Sequence, residues 1–188
     1  MAKTERIMTL AAVAQEEYAV ANLKNVKETF VGRAQSVVHT ADLVNGAIAY
    51  LGELKEGETH IFEAKSTGEG MPWLMFRAEI NPKEDSRMDK QLGTYRMKGN
   101  KAHPAWQLNL LDKIEYSDSY FAEAPAKGDI FELKTLGEKF IKNAGATGLV
   151  FKVTEVKEAW TPVAYSGDYN LFPTSHKMIT VQLINKTA

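Results

Sequence analysis

Hydrophobic and polar positions along the 188-residue chain alternate in short runs, which is the period of strands rather than helices. "AIAYLGEL" and "THIFEA" flank the turn "KEGE", centred on Gly57, and read as a hairpin. "FVGRAQSVVHT" reads as a strand pair or as one strand with a bulge at Gly32, and "PWLMFRAEI" as a strongly apolar strand. A second apolar segment runs from Leu108 to Ile114. "KGDIFELKTL" and "TGLVFKVTEVKEAW" alternate after glycine turns. In the latter, Leu149, Phe151, Val153 and Val156 mark one face with an irregularity before Val156. "HKMITVQLIN" closes the chain as a strand. Spacings of roughly 8 to 15 residues predict a mainly β protein, a small β-barrel or β-sandwich.

The charged stretch "INPKEDSRMDKQLG", with Pro82, reads as an exposed loop or short helix, and the N-terminal part also departs from this period. Leu10, Val13, Ala14, Tyr18 and Ala21 fit one helical face, with Thr9 as N-cap, but also fit an extended arm. The expected organisation is an N-terminal arm or short helix over 1–29 and a β-rich domain over 30–188, with a joint near 122–128. Lys3, Arg6 and the apolar run before "AVA" resemble an export signal, but the run is at the lower limit of length for one. No run reaches the 18 or more apolar residues of a membrane span, so no membrane partner is expected.

Composition narrows the chemistry. Hydrophobic residues make up 44% of the chain and charged ones 25%, with a formal net charge of -1. A dedicated nucleic-acid binder carries a basic excess, so nucleic acid is not the expected partner. With no cysteine, thiolate zinc sites, iron–sulfur clusters, disulfides and cysteine nucleophiles are excluded. His39, His60, His103 and His176 lack metal-ligand spacing. The serines lack a nucleophile elbow, "STGEG" lacks the lysine of a phosphate loop, and "PKEDSRMDK" lacks the central glycine of a calcium loop. The reading is therefore of a non-enzyme with no cofactor and no metal. Gly46 and Gly57 are expected at turn positions with positive φ.

Three units, "NGAIAYLGELKEGE", "KGDIFELKTLG" and "GLVFKVTEVKEAW", together resemble tailed-bacteriophage capsid decoration (cement) proteins and the related bases of head fibres. The resemblance covers roughly residues 30 to 160. The charged insertion "INPKEDSRMDKQLGTYRMKGNKAHPAWQ" and the tail "TPVAYSGDYNLFPTSHK" depart from the simplest members. The resemblance implies a virion structural protein on the outer capsid surface, present in the host cytoplasm during assembly. It implies the major capsid protein as partner, self-association as a homo-oligomer, and a trimer at a local symmetry axis. Since interface anchors are often aromatic or arginine, Tyr18, Phe30, Trp73, Arg87, Trp106 and Trp160 are the candidate interface residues. Two alternatives stay open: another phage structural component (tail tube, neck or head fibre), and a nucleic-acid-binding β-barrel using Arg33, Arg77, Arg96, Lys98 and Lys101.

Overall fold

The computed structural model describes residues 20–66, 71–77, 95–133, 139–142, 149–163 and 172–186, with backbone only for 160–163, 172–175 and 186. The described chain is mainly β and contains a closed five-stranded barrel. It begins with strand β1 (Ala21–Asn25) and a one-turn helix α1 (Lys27–Val31). The barrel follows, from β2 (Ala34–Val38), β4 (Ala47–Leu54), β5 (Ile61–Lys65), β6 (Trp73–Met75) and β8 (Ala102–Gln107). Its order is β2-β5-β4-β6-β8, closed by pairing of β8 with β2. Only the β2/β5 pair is parallel. The short strands β3 (Leu43–Val44) and β7 (Arg96–Met97) pair with each other.

The remaining strands form a six-stranded antiparallel sheet with β1 at one edge. They are β9 (Lys113–Ser117), β10 (Ile130–Leu133), β11 (Ile141–Lys142), β12 (Leu149–Val163) and β13 (Phe172–Lys186), in the order β1-β9-β13-β12-β10-β11. The chain thus passes from barrel to sheet at 108–112, whereas 122–128 connects two parts of the same sheet. Residues 21–25, read as part of an arm, form β1 against β9. The alternative of helix or arm for 9–21 falls, except at its end, outside the described residues. Gly32 closes α1 in a left-handed cap, its N–H donating to the Glu28 carbonyl at 3.1 Å, and makes no bulge. The expected irregularity in β12 is present as a register shift between Val153 and Glu155.

Alternation along β4 builds two cores at once. Ala47 and Ala49 face the barrel interior with Val37, Leu43, Met75, Met97 and Ala105. Ile48 faces the opposite way and packs with Leu74, Tyr116, Phe131, Phe140, Phe151 and Ile179 against the sheet. A strand's side chains alternate between its faces, so one strand serves both cores without a bend. Three of the seven buried interior residues are alanines, consistent with the narrow interior of a five-stranded barrel. The sheet contributes Ile114 and Tyr116, Leu149, Phe151 and Val153, and Ile179, Val181 and Leu183 from one face of each strand. A chain of ring contacts runs through this core: Tyr120–Tyr116 at 4.7 Å, Tyr116–Phe140 at 5.3 Å and Phe140–Phe151 at 5.2 Å between centroids.

The two cores are joined at Asn45 and Gly46. The Tyr116 hydroxyl donates to the Gly46 carbonyl at 2.9 Å, and the Tyr120 hydroxyl donates to the Asn45 carbonyl. The Asn45 side chain holds Arg77 by both backbone groups, donating to its carbonyl and accepting from its N–H, each at 3.0 Å. Burial, with the neighbouring Tyr120, pushes the Tyr116 phenol well above its ordinary value, so it stays a neutral donor. Gly46 has φ +81°, and a Cβ there would lie 2.5 Å from the Ala21 Cβ and 3.0 Å from the Tyr116 ring. Gly57 has a similar φ of +79° but nothing within 4 Å.

This pair separates backbone strain from crowding. Gly57→Ala meets only the left-handed penalty of about 1–2 kcal/mol. Gly46→Ala adds a collision at the junction and is expected to cost on the order of 3–5 kcal/mol. Denaturant unfolding of both variants checks this; equal losses would refute a packed junction at Gly46.

Two carboxylates contribute to the dependence of stability on acid pH. The Gly99 N–H and then Lys98 hold Asp42 below its ordinary 3.8, while Lys142 and then the Ala126 N–H do the same for Asp129. Both carboxyls have lower values folded than unfolded. Their stabilisation is therefore present above about pH 4 and is lost as pH falls through the depressed folded values. Stability measured against pH should decline more gently below about pH 4 in Asp42→Asn/Asp129→Asn than in the unaltered chain. An unchanged acid limb would show that these carboxylates do not contribute to it.

Candidate functional site

The most exposed large apolar side chains of the described chain include Phe30 at 79%, Leu111 at 65%, Val31 at 53% and Leu110 at 51%. They lie on two adjoining segments, α1 and the turn 108–112. Val26, almost fully buried, anchors the start of α1. No side chain of α1's own N-cap satisfies its first amides. Instead Asp112, from the turn, accepts the Lys27 N–H at 3.1 Å with one oxygen and the Asn109 N–H at 2.8 Å with the other. Asn109 also donates to Glu28 at 3.4 Å. One buried carboxylate thereby fastens helix and turn into a single unit.

The turn is held from below as well. Leu108 is fully buried and its N–H donates to the Pro72 carbonyl at 2.9 Å. The Leu111 N–H donates to the Leu183 carbonyl at 2.8 Å, and the Leu183 N–H returns to Asp112 at 3.0 Å. The Gln182 side chain donates to the Leu111 carbonyl at 3.2 Å. Within this frame Leu111 adopts φ +73°, a conformation rare for a residue with a branched side chain. The result is an apolar knuckle on a rigid, hydrogen-bonded base.

The six sequence candidates do not converge. Phe30 belongs to the knuckle. Trp106, on β8, is half-buried against the sheet-side core with Phe76 at 6.5 Å between ring centroids. Trp73, on β6, packs against the barrel interior. Trp160 lies in β12, whose side chain there is not described, and Tyr18 and Arg87 lie outside the described residues. Of the basic candidates, Lys98 is paired with Asp42 at 2.7 Å and Arg96 donates to the Tyr95 carbonyl at 2.9 Å. Arg33, Arg77 and Lys101 are exposed. The histidines are dispersed: His39 accepts from the Ala41 N–H, His60 sits beside Thr59, buried His103 donates to the Lys98 carbonyl, and His176 lies in β13. Among the described residues no group of three or more potential ligands gathers to hold a metal, and no helix is long and apolar enough to cross a membrane.

Val31, Leu110 and Leu111 are the residues that sequence reasoning misses, because "FVGRAQSVVHT" reads as strand and "LNLLDKI" as one apolar segment. The available signal is Asn109 and Asp112 bracketing the two leucines, the spacing of an Asx-stabilised turn. Comparison with protein-family profiles, curated proteins and solved structures finds no match.

Asp112→Ala should cost about 1–2 kcal/mol and loosen both segments, since it removes a helix cap and a turn closure together. Asp112→Asn, which keeps one accepting oxygen, should fall between. Hydrogen exchange at the α1 and turn amides checks this; protection lost in only one of the two segments would refute a shared fastening.

Proposed function

We propose that this chain is a virion structural protein that binds the outer surface of a tailed-bacteriophage capsid and stabilises the head. The observation that carries the reading is Leu111. A turn at positive φ is served at lower cost by glycine, yet a leucine stands there with its side chain largely in water. Non-glycine strain of this kind costs on the order of 1–3 kcal/mol and persists where the surroundings over-determine it, often at binding sites. The side chain is then accounted for by what it contacts in a complex. On the same fastened unit of α1 and turn, Phe30, Val31 and Leu110 add exposed apolar surface for docking, in keeping with interfaces whose buried core is apolar and whose rim is polar.

Such a role needs shape and adhesion rather than turnover. The resemblance of the "NG", "KGD" and "GLVF" strand units to decoration proteins supports the major capsid protein as the partner.

Co-sedimentation with empty, expanded heads tests the reading. The unaltered chain should bind and raise head stability to heat and low salt. Leu111→Ser and Phe30→Ser should each weaken binding by roughly tenfold or more, about 1.4 kcal/mol. Leu111→Gly should raise the chain's own stability by up to about 1 kcal/mol while weakening binding to the same degree as serine. Failure to bind heads, or unchanged binding by Leu111→Gly, would sink the proposal. Assembly of the purified chain into tubes would replace it with a tail role.

A further inference from the structure

The hairpin of β12 and β13 is longer than the sheet that contains it. Its ladder continues in register from Val156↔Ile179 out to Val163↔Phe172. β10 pairs with β12 no further than Lys152, and β9 pairs with β13 no further than Met178. Beyond these points the described strands pair only with each other. Burial changes at the same place: Val153 and Met178 are buried, whereas Lys157, Glu158 and Lys177 are exposed. The distal ribbon spans residues 157–163 and 172–177, roughly 23 Å at ~3.3 Å per residue.

A two-stranded ribbon on its own is marginally stable in water, so this one gains from being covered. Its composition fits cover by protein. The base carries Lys157, Glu158 and Lys177, with Glu158 directly opposite Lys177. The sequence further out, residues 159–175, carries a single charge, Asp168, against four aromatics, Trp160, Tyr165, Tyr169 and Phe172. Loss of charge with aromatic enrichment is the mark of an interface centre.

The two prolines decide how it docks. Pro162 is directly opposite Pro173, and neither has an N–H to exchange. That position must therefore be a non-hydrogen-bonded pair, at which backbone N–H groups face outward. Each edge of the ribbon thus lacks an outward donor at the same level. Edge-to-edge strand addition is blocked there, so contact falls to a face. By register Trp160, Pro162, Pro173 and Ser175 share one face, while Thr161, Val163, Phe172 and Thr174 share the other.

We infer that the distal β12–β13 ribbon is an intersubunit arm, lying face-on against a second copy of this chain. A charge-poor distal region meets its own copy with little like-charge repulsion, and the opposed Glu158 and Lys177 at the base are self-complementary across a two-fold axis. The inference stands on the ladder and composition alone, independently of capsid binding.

The test replaces 160–175 by Asn-Gly, joining the directly opposed Ala159 and His176 through a two-residue hairpin turn that keeps the ladder in register. In sedimentation equilibrium on the order of 100 µM, the full chain should give a multiple of its 20.9 kDa mass. The shortened chain should be a monomer that keeps a β-type circular dichroism spectrum and a similar melting temperature. Trp160→Glu in the full chain should weaken self-association by roughly tenfold or more, and it carries the test if the shortened chain fails to fold. A full chain that is monomeric throughout overturns the inference, as does an oligomer unchanged by both alterations. Head binding is measured separately: oligomers that ignore heads defeat the proposed function alone, and head-binding monomers defeat the arm alone.

Discussion

The structure depends on the anchoring of the Asn45–Gly46 turn by two buried tyrosines. Barrel and sheet are joined there by phenol-to-carbonyl hydrogen bonds inside a mostly apolar core. A buried carbonyl left without a partner costs about 1–3 kcal/mol, so the tyrosines do more than fill space. The Asn45 amide extends the same fastening to Arg77 after β6, which brings the ends of two barrel strands to one point. The close approach of Ala21 and Tyr116 leaves no room for a side chain at 46. That contact also ties in β1, at the sheet's edge.

Sharing strands between two cores has a consequence for the surface. Because β4, β6 and β8 bury both faces in part, the barrel has little apolar surface to spare on its sheet side. The four most exposed large apolar groups of the described residues lie instead on α1 and the 108–112 turn. Asp112 makes that concentration rigid, using one oxygen for each segment. A patch held by backbone hydrogen bonds loses little conformational freedom on binding, which favours adhesion. The knuckle and the distal ribbon are separate features: the first belongs to a connection against the core, the second to a ladder that has left it.

Much of the β architecture was legible from alternation. The hairpin of β4 and β5, the positive φ of Gly46 and Gly57, and the irregularity in β12 all follow from period-two patterning and turn chemistry. The candidate site was barely legible. Of its four apolar residues only Phe30 stood out, since an exposed leucine and a buried one are the same letter, and "LNLLDKI" contains both. Gly32 was misread for a similar reason: a left-handed glycine serves a helix end or a bulge equally well.

By itself, then, the sequence determined the strand period, the turns and the absence of cysteine chemistry, because these rest on local sterics and residue type. Which face of β4 meets which core, that 108–112 rather than 122–128 joins barrel to sheet, and that Leu111 stands in water were decided only in three dimensions. Those outcomes rest on contacts far apart in the chain, such as Tyr116 with Gly46 and Asp112 with Lys27. Alternation says that a strand has two faces, and only packing says what each face meets.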